Sequence, residues 1–260
     1  MSRRKLLILV AVLWTAAFVI PPCAMTQIAR GSLRGRVEVI GAAKTVKPKH
    51  ATLPTTVVWL TPLAPTGAEA PAATSSSESN PPTPAQVPQL VQKNKSFTPH
   101  ILVVQAGSMV EFPNRDPFFH NVFSLFEGKR FDLGLYEAGT TRMVRFDRPG
   151  ISYIFCNIHP NMSAVVITIT TPFYAISTSD GQLSLAGVPY GRYTLHIWSE
   201  GMGPEYGQPL TRPITIGENT SSLGVIRVPD ANGDYIAHKN KYGRDYDDPT
   251  PNSSVYEQQH

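Results

Sequence analysis

Residues Cys156 to Met162 read CNIHPNM, which sets a thiol, an imidazole and a thioether at intervals of three along one short loop. Cys156 is the only cysteine beyond residues 1–29. Sulfur donors are soft and imidazole is the commonest nitrogen ligand, so this spacing is a pattern that metal binding uses. A further imidazole, His120, follows the turn-forming stretch PNRDPFF. Two imidazoles, a thiolate and a weak thioether suit a blue-copper electron-transfer centre. Sulfur favours Cu(I), imidazole accepts both oxidation states, and a long axial Met adjusts the potential. The candidate ligands are therefore His120, Cys156, His159 and Met162, with one copper ion as the expected cofactor.

Each residue alone has a plainer role. A lone buried cysteine is ordinarily inert packing, a histidine beside PFF can be a satisfied core residue, and a single methionine fills gaps. Order and spacing together favour ligation. Structural zinc prefers more Cys and His and no Met. A binuclear copper centre would need a second loop cysteine, which CNIHPNM lacks. His50, His100, His196, His238 and His260 stand in no comparable constellation. His196, in YTLHIW, alternates with Tyr193, Leu195 and Ile197, which predicts a solvent-facing or packing role.

Strands must hold these donors. Ile101 to Val104 reads as a strand, Gly107 as a turn, Met109 to Phe112 as a second strand, and Asn114 to Asp116 as a polar turn leading to His120. Pro149-Gly150 opens a strand in which Tyr153 and Phe155 alternate and which ends at Cys156. After the loop, SAVVITIT puts Val165, Ile167 and Ile169 on one face. Three donors come from one tight loop and the fourth from a distant strand. Such a site is fixed by its β scaffold.

The segment from Phe97 to Thr170 resembles the cupredoxins, and within them amicyanin and plastocyanin. The resemblance is carried by Phe97-x-Pro99, Gly107-x-x-Val110, Asn114-x-Asp116, His120-Asn121-Val122, Pro149-Gly150 and Cys156-x-x-His159-Pro160-x-Met162. The two-residue gap before Met162 looks like amicyanin. The resemblance implies a Greek-key β-sandwich, a role for Asn121 in tying the two ligand segments together, and a second supporting position at Asn157, where the family often has Ser or Thr. It also implies an apolar rim around the outer edge of His159, for which Pro117, Phe118 and Pro160 are the candidates.

The flanking regions carry a second pattern. In RGSLRGRVEVIG, Leu33, Gly35, Val37 and Val39 alternate with charged residues, the period of a half-buried strand. TTVVWL reads as another strand. Later, Asp180-Gly181 marks a hairpin turn, Pro189-Tyr190-Gly191 another turn, and Tyr193 to Trp198 a strand. This later stretch resembles the second half of a carboxypeptidase-regulatory-like (transthyretin-like) β-sandwich, and Gly35-Arg36-Val37 and Val57-Val58-Trp59 look like its first strands. The expected fold is all-β: a cupredoxin sandwich (90–171) inserted into a second small sandwich whose parts are 30–62 and 172–228. The competing arrangement adds the N-terminal strands to the cupredoxin sheet. A Pro/Ala/Ser-rich linker is expected at 63–89 and a flexible tail at 229–260.

The N-terminus reads as an export signal over residues 1–29, with SRRK before the 15-residue apolar run Leu6 to Ile20. That run is short of the roughly 20 residues a bilayer span needs. Membrane attachment is expected only if it stays uncleaved. Its loss removes Arg3, Arg4 and Lys5 and no acid, so net charge falls from +4 to about +1. No nucleic-acid-binding stripe remains. Export places the chain in the periplasm or outside the cell, where cysteines mostly pair, so an unpaired Cys156 calls for burial or a metal. No nucleophile is paired with a base, and the expected role is a one-electron carrier and not an enzyme. Copper holding or delivery, and a cell-surface binding module with a secondary copper site, are the alternatives. The redox partner is not legible.

Overall fold

The computed structural model describes residues 29–40, 53–63, 87–125, 128–202, 208–229 and 238–246. The expected signal peptide and most of the expected linker lie outside the described residues. The described residues are all-β, with one short 3-10 turn among them at Glu200–Met202. No helix among the described residues is long and apolar enough to cross a membrane.

The strands stack in layers. The first two, β1 (Arg30–Ile40) and β2 (Thr56–Pro62), precede nine strands that run from β3 (Val91–Lys93) and β4 (Ser96–Thr98) to β11 (Ser163–Ile169). Five more follow: β12 (Tyr174–Ile176), β13 (Gln182–Pro189), β14 (Gly191–Ser199), β15 (Leu210–Ile216) and β16 (Ser222–Pro229). β1 lies between β13, antiparallel, and β16, parallel. β2 lies between β12 and β14, with β15 at the far edge. The N-terminal strands thus pair with the C-terminal ones, not with the intervening sheet. Leu33 and Val37 of β1, Leu60 of β2 and Leu195 of β14 fill the core between these two sheets. Arg34, Arg36 and Glu38 alternate outward to solvent, as the period-2 pattern requires.

The intervening strands form their own sandwich. β5 (Ile101–Gln105), β11, β10 (Gly150–Cys156), β7 (His120–Ser124) and β8 (Phe131–Tyr136) make a five-stranded sheet in that order. β6 (Ser108–Pro113) pairs with β9 (Thr141–Phe146), and β3 with β4. Phe112, Val122, Phe146, Ile154, Cys156 and Met162 share the core between them.

Two strands are apolar on both faces, and these join the two sandwiches. β2 sends Val58 and Leu60 into the first core, and β11 sends Ala164 and Val166 into the second. Their opposite faces meet: Val57 and Trp59 pack with Val165, Ile167 and Ile169, together with Ile101 and Trp198. A strand buried on both faces reads as a continuous apolar run, which is what VVWL and AVVITI are. Full burial of each such side chain contributes about 1.5–3 kcal/mol. The chain also re-enters the first sandwich close to where it left. The Leu60 N–H donates to the Phe173 carbonyl at 3.0 Å, and the Thr171 hydroxyl donates to the Leu60 carbonyl at 2.6 Å. His196 packs flat on Trp59, its ring centroid 5.0 Å away, and lies 3.0 Å from the Thr61 hydroxyl, the packing role its alternation predicts.

An ion pair also spans the junction. His100, just before β5, lies 3.1 Å from Glu200, and Glu200 accepts the Thr55 N–H at 2.8 Å. The Glu200 hydrogen bond raises the His100 imidazole above its ordinary 6.5, against the lowering effect of burial. Burial alone would raise Glu200, but His100 and Thr55 bring it below its ordinary 4.5. A group raised on folding stabilises fully below its unfolded value and loses that effect as pH rises through the folded one. A lowered acid stabilises above its unfolded value and loses the effect as pH falls. The pair therefore contributes most between about pH 4.5 and 6.5. The melting temperature of His100→Asn is expected to fall furthest below wild type in that window, with the gap narrowing as pH rises beyond it. Thermal melts across a pH series check this, and a gap independent of pH would contradict it.

Candidate metal centre

Antiparallel pairing of β7 with β10 sets Cys156 opposite Val122. His120, two residues before Val122, therefore stands beside the loop that Cys156 opens. His120 Nδ1 lies 3.6 Å from Cys156 Sγ, and His159 Nδ1 lies 3.5 Å from the same sulfur. The three donor atoms all lie within 4.8 Å of one another. Met162 is fully buried in the same core cluster as Cys156. The loop is a closed turn: the Met162 N–H donates to the His159 carbonyl, and the Cys156 N–H to the Met162 carbonyl, both at 3.1 Å.

The ligand segments are joined through backbone. The Asn157 N–H donates to the Asn121 carbonyl at 2.8 Å. The side chain of Asn121 turns elsewhere and donates to Asp132 at 2.6 Å. Asn121 thus ties the segments through its main chain. Burial pushes the Cys156 thiol up, while the backbone N–H groups of Asn121, Ile158 and His159 favour the thiolate. These donors aim at a sulfur that is expected to carry charge.

Asp116 is a site residue that sequence reasoning did not single out. Its buried carboxylate lies 2.9 Å from His120 Nε2. Burial alone would raise this acid, but the Lys95 N–H, His120 and the Asn94 N–H together hold it below its usual range. Those two N–H groups come from the turn between β3 and β4, where Asn94 and Lys95 have φ of 56° and 54°. Two central residues at positive φ make the hairpin turn that matches strand twist. Asp116 is itself set by an Asn114 side chain that accepts the Asp116 N–H at 3.0 Å. Burial lowers the His120 imidazole in spite of Asp116. A neutral ring that donates Nε2–H to the carboxylate leaves the Nδ1 lone pair for a metal. The one available signal was Asn-x-Asp four residues before the histidine.

Phe118 stands over both imidazoles, with ring centroids 5.4 Å from His120 and 5.3 Å from His159. Pro117 and Pro160 are exposed, and His159 is half-buried. Lys95 Nζ lies 5.3 Å from the centre of the Phe118 ring. Of the expected rim residues, Phe118 thus packs against both candidate histidines, with the Lys95 cation beside it. A donor set of two imidazoles and a buried thiol, with a thioether buried in the same core, fits copper.

Part of the expected flexible tail is not a free extension. Residues 238–246 lie against the ligand loop: the Tyr246 hydroxyl donates to the Cys156 carbonyl at 2.7 Å, and the Lys241 N–H to the Asn157 side chain at 2.9 Å. His238, given no role from sequence, stacks on Phe155 with centroids 3.9 Å apart.

No family model matches the chain, and no curated protein matches it. Solved structures similar to 32% of the chain are cupredoxins or contain them. A purple cupredoxin from Nitrosopumilus maritimus is 22% identical, with 99% of its own chain covered and a TM-score of 0.29. A reduced amicyanin variant is 20% identical, with 83% covered and a TM-score of 0.30. A copper-containing nitrite reductase from Thermus scotoductus SA-01 is 24% identical with a TM-score of 0.30, and the match spans only 22% of that enzyme.

Replacing Asp116 by Asn keeps an acceptor for His120 Nε2–H but removes the negative charge. Outer partners of ligating histidines are worth about 10–100-fold in metal affinity. Asp116→Asn is expected to weaken Cu(II) binding about tenfold, with Cu(I) binding less affected, so that the potential rises. Competition titrations in both oxidation states check this, and equal losses in the two states would contradict it.

Proposed function

We propose that this chain is an exported, mononuclear type 1 copper protein that carries single electrons and is not an enzyme. The supporting observation is that His120 Nδ1, Cys156 Sγ and His159 Nδ1 already converge within 4.8 Å in a buried, hydrogen-bonded setting. A copper ion held there supplies a one-electron Cu(II)/Cu(I) couple. His120, Cys156 and His159 would be its strong ligands and Met162 the weak one. The chain's contribution is rigidity: donors held by two strands and a closed loop shift little when the charge changes. N–H groups directed at Cys156 favour the thiolate, and Asp116 holds His120 in one tautomer and one orientation.

His159 is the route in and out. It is the half-exposed member of the set, Phe118 packs against it, and the exposed Pro117 and Pro160 would complete an apolar rim. A rim of this kind sheds water easily and lets a partner protein approach closely. The second sandwich, which we read as carboxypeptidase-regulatory-like, serves as a docking or scaffolding unit. The N-terminal run directs the chain to the periplasm or beyond, and no nucleic acid is among its partners.

Copper-loaded protein is expected to show an intense visible band from thiolate-to-Cu(II) charge transfer, and Cys156→Ala to abolish it. Absorption and EPR spectra of purified protein test this directly. A colourless wild type that binds zinc stoichiometrically would sink the reading.

A charge at the exposed Pro160 replaces no ligand. Pro160→Glu is expected to leave the spectrum almost unchanged and to slow electron self-exchange markedly, through imperfect desolvation and like-charge repulsion. NMR exchange rates at two ionic strengths check this. Very slow exchange in wild type, matched by the variant, would favour copper holding over electron transfer.

A further inference from the structure

The nine described residues of the C-terminal segment, 238–246, fold on themselves before they meet anything else. The Asn240 side-chain oxygen accepts the Tyr242 N–H at 3.0 Å and the Arg244 N–H at 3.1 Å. The Asn240 N–H donates to the Arg244 carbonyl at 2.8 Å, and the Gly243 N–H to the Asn240 carbonyl at 2.9 Å. Gly243 sits at φ +75°, a conformation that residues with a Cβ rarely adopt. Tyr246 Oη lies 3.2 Å from His238 Nδ1, so the ends of the segment meet. This is a built turn, not an arbitrary stretch of chain.

The turn supplies what the ligand loop does not supply for itself. Within the loop, the Cys156 and Met162 N–H groups find acceptors, and the Asn157 N–H reaches Asn121. The Cys156 carbonyl and the Asn157 side chain take their partners from the segment, as Tyr246 and Lys241. Lys241 acts a second time: Nζ lies 2.7 Å from one oxygen of Asp132, whose other oxygen accepts the Asn121 side chain and the Gly134 N–H. The segment therefore grips both ligand-bearing strands, at Cys156-Asn157 directly and at Asn121 through Asp132. His238 covers Phe155, the residue before Cys156.

We propose that residues 238–246 are an integral part of the metal centre, a clasp in which Tyr246 and Lys241 are positioning residues that hold the Cys156–Met162 loop in its metal-binding form before the metal arrives. The proposal rests on the reading of this loop as a copper site. Without the clasp, the Cys156 carbonyl and Asn157 must turn to water, and the loop that carries three of the four donors loses its outer restraint. The consequence is a loop that opens more often and releases its ion faster.

The test uses the full-length protein as wild type and three variants: Tyr246→Phe, Tyr246→Phe combined with Lys241→Gln, and Arg145→Ala, an exposed position on β9 outside the clasp, as a control. In metal-free protein, amide hydrogen exchange at Asn157 and Met162 is expected to quicken about tenfold in Tyr246→Phe and further in the double variant, the scale set by one lost hydrogen bond. In copper-loaded protein, release to excess chelator is expected to quicken about tenfold, the scale of an outer partner of a ligand, and the charge-transfer band to move. Arg145→Ala is expected to match wild type in every measurement. Wild-type exchange, release and spectrum in both clasp variants would overturn the proposal. Tyr246→Phe removes a single oxygen atom, so it carries the test should the double variant fail to fold. If wild type takes up no copper, the proposed function fails, and amide exchange in the metal-free protein still decides whether the clasp holds the loop.

Discussion

The hydrogen bond from the Asn157 N–H to the Asn121 carbonyl, 2.8 Å long, joins the two chain segments that carry all four candidate ligands. It continues the antiparallel ladder of β7 and β10 one step beyond the Cys156–Val122 pair. Register in such a ladder is all or nothing, because a slip of one residue turns every side chain to the opposite face. A slip here would carry His120 out of the core and away from the thiol. The packing of Val122 and Ile154 in the core they share with Cys156 and Met162 opposes it. The geometry of the donors is thus inherited from ordinary strand pairing, and the short loop only has to close on itself.

Charge imposes a second constraint on the same place. Cys156 and Asp116 are both buried, and the Asp116 carboxylate adds to the effects that raise the thiol. A thiolate and a carboxylate so close together, away from water, cannot both be ionised cheaply without a cation. Metal-free protein satisfies this with a neutral thiol. A divalent cation is balanced by the two groups together. The Asn94-Lys95 turn is part of this balance, because its N–H groups keep Asp116 charged. A hairpin remote in sequence from every ligand thereby fixes the tautomer of His120.

Rigidity comes from layering. The sheet that holds the ligands is covered on one face by β6 and β9 and on the other by β2 and its neighbours, so β11 is buried on both sides. Dense interiors resist displacement, and a loop rooted in such a sheet has little freedom to follow a change of charge. The neighbouring sandwich is accordingly more than an appendage. Trp59 and Trp198 help bury Ile167 and Ile169, and the ligand loop leads directly into that strand.

Cys156, His159 and Met162 were legible as candidate ligands because donor type and spacing are local properties of a seven-residue loop. His120 was legible because the turn before it and the strand after it are local too. The alternation in β1 and the double-sided apolar runs of β2 and β11 announced strands for the same reason: period and composition belong to contiguous residues. Which strands pair is a different matter. That β1 joins β13 and β16 is settled by side chains well over a hundred residues apart competing for the same buried surface. Asp116 looked like a turn residue, and only the approach of the β3–β4 hairpin and of His120 makes it a buried anion. The segment 238–246 is polar and has no period, so nothing local marked it as structured. Its hydrogen-bond partners are groups of the ligand loop and of β8, and a hydrogen bond between distant groups leaves no trace in the composition of either.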